Sequence, residues 1–254
     1  MRSKVASRFF FLFVLCSLFP LAILSVLSFS QVTHLLFEQS RSRLRQTARA
    51  TSLTLHERLV FLENEMKLFS RNRASTPPGT LQAAARQDSE FLKKRFKAMG
   101  LLTESGEEIP LWETIAPFPS VTPPERTHLH TGQSLIFTRS SSSPPAKVYM
   151  GLAVDPERPG RGILLGEISP QYLWDMEDQS TIPAMTELCV LDHTNHVLFS
   201  SVPLPATFKS RIEGSLRQSG VGQFEWEKDG EGYLASYRHI LLQSQFFAPK
   251  WTVI

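Results

Sequence analysis

From Phe9 to Phe29 the chain runs for 21 residues without a charged side chain. As an α-helix rising about 1.5 Å per residue, this stretch is roughly 30 Å long, the thickness of a bilayer's hydrocarbon core. Its serines and Pro20 are tolerable in a membrane helix. A secretory signal peptide has a shorter apolar stretch, about 7–15 residues, and a small-x-small cleavage site. Here the run continues into Gln31-Val32-Thr33-His34-Leu35-Leu36-Phe37 without an Ala-x-Ala pattern, so an uncleaved anchor is expected. Arg2, Lys4 and Arg8 are the only charged side chains before Glu38. With the terminal amine they hold the N-terminus in the cytoplasm and send the rest outward. Arg41, Arg43, Arg45 and Arg49 pull the other way, but they begin 12 residues past the apolar run and are diluted by Glu38.

The net charge of +3 resides in that basic tip. Removing its three cations from the 27 basic side chains leaves 24, equal to the 24 acidic ones. The remainder is neutral overall and carries no arginine-rich stripe with interleaved aromatics, so no nucleic-acid partner is expected. Of the two cysteines, Cys16 lies in the apolar run and Cys189 far downstream, which leaves no disulfide framework. The serine-hydrolase Gly-x-Ser-x-Gly, the phosphate-cradling Gly-x-x-x-x-Gly-Lys-Ser/Thr and the metalloprotease His-Glu-x-x-His are all missing from the sequence. The reading is a non-enzyme with no cofactor and no metal. His128 and His130 are expected in a loop. Asp192, His193 and His196 cluster in a hairpin that turn chemistry explains.

Beyond the apolar run the periodicity stays helical. Leu44, Ala48, Thr51, Leu55, Leu59, Leu62, Met66 and Phe69 are spaced 4, 3, 4, 4, 3, 4, 3, one apolar stripe near the 3.6-residue period. Leu53, Val60 and Leu68 form a second. One stripe is expected to pack on the chain's own globular part and the other on the same helix of a second copy, giving a homodimer. No proline or glycine interrupts Gln31 to Ser75, and Ser75-Thr76-Pro77-Pro78-Gly79 then stops the helix.

Two mixed modules follow. Leu81 to Met99 is expected as a helix with Gly100 as its C-cap. Leu101 to Ile109 reads as strand, turn and strand, and Ile115 to Glu125 as a proline-rich loop. Ser134–Arg139 and Lys147–Val154 are strands around the polar turn Ser140–Pro145. Gly162–Ile168 is a strand, and Ser169-Pro170 opens a short helix through about Met176. The pattern then recurs on a smaller scale. Glu187–Asp192 and His196–Ser200 flank a turn, Pro203–Ser219 is loop and weak helix, Gly222–Glu227 and Gly232–Ile240 form a hairpin, and Phe246–Ile254 begins a last strand. The fold class is α+β, with two antiparallel-sheet modules behind a transmembrane helix and a long helix. The expected division is 1–8 cytoplasmic tip, 9–29 transmembrane helix, 30–75 long signalling helix, 76–178 membrane-distal module and 179–254 membrane-proximal module.

In this order the chain resembles the extracytoplasmic double Cache, or PAS-like, sensor domains of bacterial receptors. The resemblance rests on the membrane helix, the long rising helix, the strand return Gly162-Ile163-Leu164-Leu165-Gly166-Glu167-Ile168-Ser169, the hairpin after Cys189-Val190-Leu191-Asp192, and the closing Gly232-Tyr233-Leu234-Ala235-Ser236-Tyr237 and Trp251-Thr252-Val253-Ile254. It covers roughly residues 9–254. Asn195 stands where such hairpins often carry glycine, and asparagine tolerates the same left-handed backbone. The amino-acid-binding members resemble one another in an Arg-x-Trp-aromatic signature. Trp112, preceded by Pro110-Leu111 and followed by Glu113, does not match it, so the sequence does not support an amino-acid ligand. The resemblance implies a small-ligand sensor in a bacterial inner membrane, its bulk periplasmic. It also implies a second membrane helix and a cytoplasmic diguanylate cyclase, phosphodiesterase or histidine kinase beyond Ile254. A membrane-anchored protein-interaction module without an output is the alternative. For an unknown small ligand, Trp112, Phe137, Arg139 and Tyr149 of the distal module offer aromatic walls and one charge.

Overall fold

Alternating apolar side chains in short runs closed by Gly, Pro, Asn and Asp turns build the ten strands found among the described residues, and one helical stripe gives them a common surface to pack on. The computed structural model describes residues 4–73, 90–115, 120–139, 145–174, 186–205, 208, 212, 214, 216, 219–228 and 230–254. The chain divides into two compact units, Met1–Gln46 and Thr47–Ile254. Helix α1 spans Lys4–Arg73 and contains Pro20. Within the first unit its large apolar side chains, from Phe10 through Phe29 to Phe37, stand exposed. By length and composition this helix is able to cross a membrane.

In the second unit α2 (Glu90–Arg95) leads into β1 (Phe96–Leu102) and β2 (Glu108–Trp112). Helix α3 (Pro123–His130) precedes β3 (Leu135–Arg139), β4 (Lys147–Ala153), β5 (Ile163–Ile168) and α4 (Pro170–Trp174). Then come β6 (Cys189–Leu191), β7 (Val197–Ser200), β8 (Val221–Lys228), β9 (Glu231–Ile240), α5 (Gln243–Phe246) and β10 (Trp251–Val253). The two sheets are ordered β2-β1-β5-β4-β3 and β7-β6-β10-β9-β8, and all their pairings are antiparallel. The second sheet repeats the strand order of the first, as two modules of one topology require.

The inner faces of both sheets share one core with α1. Leu55, Leu59, Leu62, Met66 and Phe69 lie in a single apolar cluster with Phe96, Met99, Met150 and Leu164 of the first sheet and Val190, Ile240, Trp251 and Val253 of the second. Gly166 leaves room for Phe96: a Cβ there would meet the ring at 2.5 Å. Trp174 joins the modules, stacking on Phe199 at 5.4 Å and lying 5.9 Å from Trp251. The Ala146 amide also donates to the Leu198 carbonyl. Polar ties fix α1 in register. The Arg58 guanidinium donates to the Tyr172 and Leu173 carbonyls at 3.1 Å. Buried Glu63 accepts from Lys67 and from Gln245 of α5, and Arg95 of α2 pairs with Glu65.

The α+β class and both hairpin pairs agree with expectation, and the turn residue Asn195 is left-handed at φ 62°. Two segments differ. Phe96–Met99 is strand rather than the end of a helix, and Gly100 sits inside β1, not at a helix terminus. The apolar spacing suits either period, but pairing with β2 and β5 on both sides satisfies the backbone as strand. Pro123–His130 is helix where a loop was expected, so His128 and His130 are helical. The expected helix stop at Ser75–Gly79, residues 81–89 of the expected second helix, most of the Ser140–Pro145 turn and the module boundary near residue 178 lie outside the described residues. Truncating Leu62 or Met66 to alanine, both fully buried, is expected to cost about 2–5 kcal/mol in denaturant unfolding of the Thr47–Ile254 unit. Leu68→Ala, on the exposed side of the helix, should stay within about 0.5 kcal/mol.

Candidate functional site on the outer face of the distal sheet

The first sheet turns its second face away from α1. Because side chains alternate along a strand, the inner positions Val148, Met150 and Leu152 leave Lys147, Tyr149, Gly151 and Ala153 on this outer face. On β3 the outer positions are Leu135, Phe137 and Arg139, and on β5 they are Ile163, Leu165 and Glu167. Register brings three of the expected ligand residues together. Phe137 pairs with Tyr149, and Arg139 with Lys147, across β3 and β4. The Phe137 and Tyr149 rings stack at 5.5 Å. Tyr149 in turn pairs with Glu167 across β4 and β5. Ala98, Ile115 and Leu165 complete a small apolar cluster beneath the rings.

Glu167 is the residue that sequence reasoning missed. The residue is 5% exposed, and its carboxylate has the Tyr149 hydroxyl as a hydrogen-bond donor. Lys97 and Lys147 ammoniums stand 3.8 and 3.7 Å from its two oxygens. These exposed lysines offset a charge that would otherwise be costly to bury. Burial, followed by the Glu167 charge, raises the Tyr149 phenol above its ordinary range, while Arg139 acts in the opposite direction. A buried carboxylate, a phenol, a guanidinium and two ammoniums therefore converge beside stacked aromatics. Tyr149 and Glu167 are buried, at 1% and 5% exposure, so Phe137, Arg139, Lys97 and Lys147 are the members of this set that reach the surface. A glutamate two residues before Ser169-Pro170, inside an otherwise apolar strand, was the available sequence signal.

Trp112 is placed elsewhere. It pairs with Met99 at the bulged β1–β2 register, meets Phe69 of α1 edge-on at 6.2 Å, and donates its indole N–H to the Phe96 carbonyl at 3.3 Å. It belongs to the inner face, opposite Phe137, Arg139 and Tyr149.

Helix α3, also unforeseen, borders the outer face. Its start carries a recognisable signal, Thr122-Pro123-Pro124-Glu125. The Glu125 carboxylate accepts from both the Thr122 amide and hydroxyl at 2.7 Å, within the capping box that such spacing favours. Leu129 packs with Leu135 and Ala153, and Phe137 touches this cluster. His128 donates through Nε2 to the Ser134 carbonyl at 3.0 Å, and its ring lies 5.0 Å from Phe247 beyond α5.

No family profile matches the sequence, and no curated protein matches it. Solved structures do match in fold. The ligand-binding domain of the Pseudomonas aeruginosa amino-acid chemoreceptor PctB, in complex with L-Arg, superposes with a TM-score of 0.62 at 14% identity, over 85% of this chain and 94% of that one. The domain of the Pseudomonas fluorescens chemoreceptor CtaA with L-isoleucine gives 0.59 at 15% identity, over 87% and 92%. That of Campylobacter jejuni Tlp3 with 4-methylisoleucine gives 0.58 at 11%, over 86% and 91%. The architecture is thus that of bacterial chemoreceptor sensor domains, two PAS-like modules behind a long N-terminal helix.

Tyr149 sets a pH prediction. Its phenol is raised above 10.0 in the folded state, so its contribution to stability is complete below that pH and is lost as pH rises through the folded value. Unfolding midpoints measured from pH 8 upward should fall in the alkaline range, and Tyr149→Phe should flatten the fall. Loss of its hydrogen bond to buried Glu167 should also cost about 1–3 kcal/mol at neutral pH.

Proposed function

We propose that the chain is the extracytoplasmic small-ligand sensor region of a bacterial membrane-bound signalling receptor, and not an enzyme. The observation that carries this reading is the outer face of the distal sheet, where Glu167, Tyr149, Phe137 and Arg139 converge on a fold shared with chemoreceptor ligand-binding domains. Arg139 carries a planar guanidinium of the kind that pairs with carboxylates, and the half-buried Phe137 ring, stacked on buried Tyr149, gives an apolar edge beside it. The ligand-bound neighbours carry amino acids, and a charged pair of opposite sign beside an aromatic wall suits such a molecule. The aromatic signature shared by the amino-acid-binding members is lacking around Trp112, so the contacts would be this chain's own.

Helix α1 supplies both anchor and relay. Its apolar first part lies in the inner membrane, N-terminus inside, and its second part carries the core of both modules on the periplasmic side. Leu53 and Leu68, 48% and 60% exposed on the face away from the core, form the seam with α1 of a second copy, with Val60 packed partly against the core. Ligand binding shifts the population of distal-module conformations, and the change passes inward along α1. The output served is a cytoplasmic diguanylate cyclase, phosphodiesterase or histidine kinase.

A thermal-shift screen with amino acids and small carboxylates should find compounds that raise the unfolding midpoint. For such a compound, Arg139→Ala should weaken binding in calorimetric titration by about tenfold or more. Binding that survives both Arg139→Ala and Glu167→Gln unchanged would place the ligand elsewhere. Leu53→Glu with Leu68→Glu should shift the chain from dimer to monomer in analytical ultracentrifugation. An unchanged mass would remove α1 as the seam.

A further inference from the structure

The proximal module repeats the distal topology, and it too has polar groups on the outer face of its fourth and fifth strands. Trp251 and Val253 of β10 point into the shared core, so Thr252 between them faces outward. Thr252 pairs with His239 of β9. Around these two lies an open cavity of about 340 Å³ lined by Asp192, His193, Asn195, Leu216, His239, Lys250 and Thr252. Its volume falls within the range of small-ligand sites, about 300–1,000 Å³.

The Lys250 ammonium sets the direction of two hydrogen bonds in this cavity. Lys250 Nζ lies 3.0 Å from His239 Nε2, and an ammonium only donates, so Nε2 accepts. The proton of the neutral ring is therefore on Nδ1, which donates to Thr252 Oγ1 at 3.0 Å. Burial and then the Lys250 charge hold His239 below its ordinary range, against a smaller upward pull from a hydrogen bond to the Leu216 backbone, in line with a neutral ring. The other charges differ in how far they are satisfied. Asp192 is 7% exposed, and its Oδ1 accepts from the Thr194 amide, the Thr194 hydroxyl and the His196 amide at 2.7–2.8 Å. Its charge serves the β6–β7 turn. Among the described residues the Lys250 ammonium contacts the neutral imidazole nitrogen and has no carboxylate within ion-pairing distance, so it is the charge left for a ligand.

We propose that this cavity is a second ligand site, separate from the distal face, which takes a small carboxylate anion on the Lys250 ammonium beside His239 and Thr252. Lys250 turns one of its donors to the carboxylate, and the His239–Thr252 pair forms the polar wall behind it. Leu216, from the segment over this face, gives the apolar side. The site lies at the start of β10, whose Trp251 contacts Trp174 at the module junction, so occupancy would act directly on the core shared with α1. The inference stands on the proximal geometry and does not depend on the reading of the distal face.

The test uses the full chain in detergent micelles at pH 7.5, with ring-labelled histidine followed by NMR. Sodium acetate is titrated against sodium chloride at matched ionic strength. The expected result is a saturable shift of the His239 resonance with acetate and not with chloride, weakened about tenfold or more in Lys250→Ala. Lys250 is exposed, so its variant should fold, and the other histidine resonances report whether it does. A His239 resonance that fails to saturate, that moves equally with chloride, or that keeps its acetate affinity in Lys250→Ala would overturn the proposal.

Discussion

The second unit depends on one stripe of side chains. Leu55, Leu59, Leu62, Met66 and Phe69 of α1 are buried at spacings of 4, 3, 4 and 3, and each contributes roughly 1.5–3 kcal/mol by leaving water. Neither sheet has another long apolar surface to cover its inner face among the described residues. Helix α1 is therefore the common floor of both modules, and the outer faces, freed from packing on it, are available for polar chemistry.

This arrangement gives a physical route between the two outer faces. Each cluster sits one strand thickness from the shared core: Tyr149 alternates with Val148 and Met150, and Thr252 with Trp251 and Val253. Polar ties reinforce the route. Arg58 reaches the carbonyls that end α4, and Glu63 holds Gln245 of α5. On the far side, His128 of α3 meets Phe247 just after α5, so the segment bordering the distal face touches the proximal module. A packed core has few intermediate arrangements, which favours discrete over graded responses to a ligand.

Much of this was legible in the chain. The helical stripe and both hairpin patterns are local, and local periodicity reveals them. Asn195 declared its left-handed turn by residue type. What stayed hidden was set by pairing. Phe96, Met99 and Leu101 fit a helix as readily as a strand until β2 and β5 bond to both edges. Helix α3 was obscured by its prolines, although prolines suit a first helical turn and Glu125 stood at capping distance from Thr122. In the candidate site, Phe137 and Arg139 share a face because they are two residues apart on a strand. Tyr149 joins them only through register. Glu167 is 28 residues past Arg139, and nothing local assigns it to them. Trp112 was grouped with them by residue type, but it pairs with Met99 at the β1–β2 bulge and lies against Phe69.

The claim on which the account rests is that both modules are one cooperative body because they share α1. Differential scanning calorimetry of the Thr47–Ile254 unit measures this directly. The account predicts a single transition whose van't Hoff enthalpy equals the calorimetric enthalpy. Two separable transitions, each with its own enthalpy, would show that the modules stand independently and would contradict it.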